Sequence, residues 1–147
     1  MSAARLLDAQ DVAVHYRIGG GLLHRARALR AVEEVSLILE AGETLGIVGE
    51  SGCGKSTLGR ALLGLTPITR GRVMLAGVDL TSLSARALRA HRRHAQMVFQ
   101  DPLASLDPRM TVGQILAEPM RVHEPSMTPL AVRARALSLL ERVGLGA

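Results

Sequence analysis

The chain is poor in several residue types, and each shortage excludes something. Cys53 is the single cysteine, so no internal disulfide can form. There is no tryptophan, one tyrosine and one phenylalanine in 147 residues, so the core must be aliphatic. The same shortage removes the stacking platforms that single-strand nucleic-acid binders use. No apolar run approaches the length of a membrane span. Residues 1–12 carry Asp8 and Asp11 and have no apolar h-region, so no signal peptide is expected and a cytoplasmic chain is the default. Lysine is almost absent too: Lys55 is the only one among 18 lysines and arginines. The net charge of +5 therefore rests on arginines, which are scattered as GC-rich coding would scatter them.

Against this background, Gly49-Glu50-Ser51-Gly52-Cys53-Gly54-Lys55-Ser56-Thr57 stands out as a match to G-x-x-x-x-G-K-[ST]. Thr44 to Val48 before it reads as a buried parallel strand. Leu58, Leu62 and Leu65 after it mark one face of a helix. Gly49, Gly52 and Gly54 permit positive φ and leave no Cβ between backbone and anion, so successive N–H groups can form a nest. A helix opening near Lys55 adds its unpaired donors and positive dipole end. In such a loop Lys55 reaches the β- and γ-phosphates, Ser56 holds Mg²⁺, and Thr57 contacts the α-phosphate side. Ser51 and Cys53 supply the remaining loop backbone, with Cys53 a small residue in a tight turn rather than a redox centre.

The remaining chain separates into a β-rich front and a helical back. Leu6–Ile18 and Val32–Leu39 read as strands, divided by a Gly- and Arg-rich insertion at Arg17–Arg30 expected to be a mobile hairpin or loop. A turn closes at Ala41–Glu43, and another spans Pro67–Gly71. Arg72–Ala76 reads as a strand followed by a turn at Gly77–Asp79. Ser84 caps a helix to about Arg93, with Leu83, Ala87 and Leu88 inward. Gln96–Phe99 reads as a short strand ending at Gln100, and the prolines at 102 and 108 make 101–108 a loop. Thr111 caps a short helix to Glu118. Thr128 opens a longer one, with Leu130, Ala134, Leu137 and Leu140 inward and Gly144 as its stop. The expected division is 1–100, a β subdomain with the phosphate-loop core, and 101–147.

Three stretches together carry a family likeness: the loop at 49–57, Met97-Val98-Phe99-Gln100-Asp101-Pro102, and Ala104-Ser105-Leu106-Asp107-Pro108-Arg109-Met110-Thr111-Val112. With them the chain resembles the ATP-binding subunits of ATP-binding-cassette (ABC) importers, nearest the dipeptide/oligopeptide branch. The resemblance implies an α/β fold. Its parts would be a P-loop (RecA-like) core, an N-terminal antiparallel β subdomain and the start of a helical subdomain. It implies ATP and Mg²⁺ as cofactors. It gives Gln100 the role of the Q-loop glutamine, reaching Mg²⁺ and the attacking water, and makes Tyr16 the aromatic that stacks on adenine. It also implies partners: the transmembrane permease, met through the loop after Gln100, a second ATP-binding subunit, and indirectly an extracytoplasmic solute-binding protein. The chain would sit peripherally on the cytoplasmic face of the inner membrane, without nucleic acid.

The family's Leu-Ser-Gly-Gly-Gln signature, Walker B strand and switch histidine have no match here. Val73–Asp79 is interrupted by Gly77, and His15, His24, His91, His94 and His123 fall outside the switch position. The chain therefore reads as the front part of such a subunit, binding Mg-nucleotide weakly and turning over little, with apolar sheet edges prone to aggregate. Two other readings remain open at this point. One is a small P-loop kinase or GTPase using Asp79 or Asp101 for its metal. The other is a non-catalytic nucleotide-binding module.

Overall fold

A computed structural model describes residues 5–19, 27–101 and 106–145. These fall into two compact units, one within Met1–Met97 and one within Val98–Ala147. In the first unit, strands β1 (Arg5–Ile18), β2 (Arg27–Glu40), β3 (Arg70–Leu75) and β4 (Val78–Asp79) form one antiparallel sheet in the order β2-β1-β3-β4. Alternation in β1 turns Val12 and Val14 inward. With Val73 of β3 they are the largest side chains to become fully buried. Each such burial contributes about 1.5–3 kcal/mol of hydrophobic stabilisation. Helix α1 (Lys55–Leu62) adds Leu58, Ala61 and Leu62 to the same aliphatic cluster. Leu65, expected on that helix face, lies beyond the helix and is 40% exposed.

The sheet bends along one line. Asp11 of β1 and Glu34 of β2 have φ of 48° and 50°, and Gly71 of β3 has φ of 95°. Register shifts fall at the same places, between Ala9 and Val12 against β2 and between Gln10 and Ala13 against β3. Both leave one extra residue in β1 near Asp11, and a further shift between Val12 and Val14 leaves one in β2 beside Glu34; such bulges kink their strands. Gly71 has no alternative there, because a Cβ would collide with the Asp11 and Gln10 carbonyls. Arg70 and Glu34 bond across the line at 2.7 Å, and that hydrogen bond holds the Glu34 carboxyl below the ordinary glutamate range.

The hairpin is more regular than its composition suggests. Arg17 and Ile18 pair with Ala28 and Arg27, so both flanks of the expected 17–30 loop are strand; residues 20–26 lie outside the described set. Cross-strand pairing overrides local Gly/Arg content where a register partner is present. The opposite correction applies at 44–48 and 96–99, both expected as strands. Neither is one, and Val48 and Val98 are 93% and 90% exposed. Among the described residues neither segment has a ladder partner, and a parallel strand does not persist without one.

After β4, Asp79 caps a short 3₁₀ turn (Leu80–Ser82): its Oδ1 accepts from Thr81 N and Oγ1 at 3.0 and 2.5 Å, and its Oδ2 from Arg72 Nε at 2.7 Å. Helix α2 (Ala85–His91) follows, with Ser84 Oγ accepting from Ala87 N as its composition predicts.

The second unit is a helical hairpin. Helix α3 (Val112–His123) opens with a capping box in which Thr111 and Gln114 bond reciprocally. It runs past Glu118 and through Pro119, because Ala117 and Met120 are buried against Val132, and that packing outweighs the lost backbone bond. Helix α4 (Pro129–Arg142) buries Val132 and Ala136. Leu130 and Leu137, expected inward, are 78% and 45% exposed, and Ala134 is exposed as well. The stripe that meets α3 decides which face is covered. Gly144, at φ 76°, closes the helix through a bond from Leu145 N to Leu140 O.

Asp79 yields a pH prediction. The hydrogen bond from the Thr81 hydroxyl, opposed by burial and aided by Thr81 N–H and Arg72, holds its carboxyl below the ordinary aspartate range. A lowered folded pKa gives stability that is present above the unfolded value, near pH 3.9, and is lost as pH falls through the folded one. Thermal melts of wild type and Asp79→Asn should differ most above about pH 4 and converge as pH falls through the lowered folded value.

Candidate nucleotide-binding site

The turn after β2 leads into a loop whose end is held against the sheet. Gly54 is the N-cap of α1 with φ of 98°, and a Cβ there would run into the Ala31 carbonyl of β2. Gly52 has φ of 81°. Both positions lie in the left-handed region that glycine occupies without penalty. Cys53 N donates to Glu50 O at 3.3 Å, closing the loop on itself, and a Cβ on Gly49 would press on the Cys53 Sγ.

Leu58 N is the first amide to bond inside the helix, to Gly54 O at 2.8 Å. The amides of Lys55, Ser56 and Thr57 therefore have no partner in the first turn, and no side chain caps it. An uncapped helix start lined by glycine backbone is suited to an anion. Lys55 Nζ meanwhile donates to Gly49 O and Glu50 O at 2.8 and 2.6 Å, arching over the loop, with Cys53 Sγ at 3.5 Å.

A cavity of about 380 Å³ opens over this turn. Its lining includes Tyr16, Gly52, Cys53, Gly54, Lys55, Ser56 and Thr57, so seven of the expected site residues share one space. Gly49 and Ser51 lie in the same loop outside that lining. Gln100 belongs to the other unit, in an exposed bend. Leu29, Arg30 and Ala31 of β2 also line the cavity, and sequence reading missed them. Their only signal is the hairpin register, in which Tyr16 faces Leu29 and His15 faces Arg30.

Asp79 does not join the cavity, since Thr81 and Arg72 engage both of its carboxylate oxygens. Among the described residues no group of three or more histidine, cysteine or acidic side chains is arranged to hold a metal. The Asp107-Pro108-Arg109 stretch makes its own loop: Asp107 accepts from Arg109 N, Nε and Nη2 at 3.0, 3.0 and 2.8 Å. The Arg109 side-chain bonds, then its amide, hold the Asp107 carboxyl below its usual range.

Comparison with known proteins gives the family. Residues 32–147 match the family model for ABC transporters. The chain belongs to the ABC transporter family. The oligopeptide transport ATP-binding protein OppF of Escherichia coli is 48% identical over 143 residues, which is 95% of this chain and 43% of that protein. The glutathione import ATP-binding protein GsiA of Shigella dysenteriae is 48% identical over 141 residues, 95% of this chain and 22% of that one. The chain thus spans less than half the length of these relatives. A dimeric ATP-binding cassette solved in a post-hydrolysis state with ADP and Pi superposes with a TM-score of 0.77 at 25% identity, over 94% of this chain and 57% of that one. The ABC fold accounts for the order seen here, an antiparallel β subdomain and P-loop helix followed by helices. Among the described residues no helix of this ABC chain is long and apolar enough to cross a membrane.

The contact between Gly54 and Ala31 is open to a direct test. Gly54→Ala should lower stability by about 1–3 kcal/mol through the disallowed φ and the clash with that carbonyl. The denaturant midpoint should fall, whereas Gly46→Ala, with open space around the added methyl, should leave it nearly unchanged.

Proposed function

We propose that this chain is the ATP-gripping part of an ABC importer's ATP-binding subunit, serving dipeptides, oligopeptides or related solutes. The observation that carries the reading is the cavity at the uncapped head of α1, lined by glycine backbone, Lys55, Ser56 and Thr57 and walled by Tyr16. The likeness to OppF and GsiA supports the importer assignment and the peptide class of solute.

In this reading the amides of 52–57 and the Lys55 ammonium bind the β- and γ-phosphates. Lys55 exchanges its two carbonyl partners for phosphate oxygens. The Ser56 hydroxyl would hold Mg²⁺, a hard cation suited to oxygen ligands, with Gln100 reaching it as the family likeness implies. Bound there, Mg²⁺ would neutralise charge on the phosphates. The donor set fits: one hydroxyl beside unpaired amides, with no carboxylate cluster among the described residues to hold the ion without nucleotide. Tyr16 offers its ring to the base, and Gln100 orients water near the metal. The loop after Gln100 meets the permease, a second ATP-binding subunit completes the site, and an extracytoplasmic solute-binding protein delivers cargo. The subunit works at the cytoplasmic face of the inner membrane.

Calorimetric titration tests the core of this. Lys55→Ala removes a charge-assisted contact to phosphate and should weaken MgATP binding by roughly 10- to 150-fold. Phosphate release by the 147 residues should be near background, and Gln100→Ala should leave MgATP affinity within about twofold. Wild-type binding that Lys55→Ala does not weaken would overturn the assignment.

A further inference from the structure

The β2 wall of the cavity carries a cation that the phosphate-loop motif does not predict. Arg30 lines the same space as Tyr16 and the loop, and its side chain is 73% exposed. Its one ionic contact among the described residues is loose, Nε to Glu33 Oε2 at 3.8 Å. That same oxygen is already held by His15 Nε2 at 2.8 Å. No hydrogen bond engages the terminal nitrogens of Arg30 among the described residues. Lys55, by contrast, is satisfied by two loop carbonyls. Arg30, a residue of the cavity wall, therefore carries a planar fork of donors that no hydrogen bond among the described residues occupies.

Position along the strand tells which part of a nucleotide it would meet. Leu29 is the register partner of Tyr16, which the proposed function gives to the base. The Ala31 carbonyl abuts Gly54, where the phosphate cradle begins. These markers are two residues apart, roughly 7 Å of strand. Arg30 stands between them, opposite the stretch that joins base to cradle. The geometry points to Arg30 as a nucleotide-contacting residue whose guanidinium grips the α-phosphate. The inference rests on the proposed nucleotide site. It adds a contact shared by di- and triphosphates and indifferent to the γ-phosphate.

Titration of the 147-residue chain with MgATP and MgADP tests this in wild type, Arg30→Ala, Arg30→Lys and Glu33→Gln. Arg30→Ala should weaken both nucleotides by the same factor, about five- to tenfold, as loss of one exposed charge-assisted contact would. Arg30→Lys should recover part of that loss, since it keeps charge without the fork. Glu33→Gln should raise both affinities by about twofold by removing the competing carboxylate. Unchanged affinities in Arg30→Ala, or a loss confined to MgATP, would overturn the α-phosphate contact. So would a fall in Glu33→Gln. If wild type binds and Lys55→Ala does not, the site stands whatever Arg30 does; if wild type fails to bind MgATP, the site itself is wrong.

Discussion

Everything at the proposed nucleotide site depends on how closely one stretch of backbone approaches another. Gly54 lies against the Ala31 carbonyl, a distance no side-chain-bearing residue could tolerate. That contact ties the mouth of α1 to β2. It sets the unpaired amides of the first turn beside the hairpin that carries Tyr16, Leu29 and Arg30. Without it, loop and hairpin would be separate features; with it, they enclose one space. The aliphatic cluster beneath, with Val12, Val14 and Val73 fully buried and Leu58 and Leu62 packed on them, keeps helix and sheet from sliding apart.

Much of this was legible from residue type. The glycine spacing, the lone lysine and Leu58 located the helix start within the loop, because an anion cradle demands special φ values and a compact cation. The caps at Ser84, Thr111 and Thr128 were equally readable, since a hydroxyl preceding an apolar run satisfies orphan amides locally.

What escaped the sequence was non-local. Arg30 becomes a cavity residue only through a register set across a hairpin. Leu130 and Leu137 have the right period for a buried face, yet the neighbouring helix covers Val132 and Ala136 instead. Leu45 to Val48 has the composition of a core strand, but composition cannot supply the adjacent strand that would hold it straight. Local chemistry writes caps and loops; partners decide faces and ladders.

The bend at Asp11, Glu34 and Gly71 has a consequence for how this sheet can vary. The extra residue of β1 near Asp11 shifts the inward and outward alternation of that strand against both of its neighbours, and β2 answers with an extra residue of its own between Val32 and Val35. Deleting the β1 residue alone would turn half of that strand's valines and leucines toward water while its neighbours stayed in place. The β1 and β2 insertions thus form a single heritable unit, free to be lost together but not one at a time.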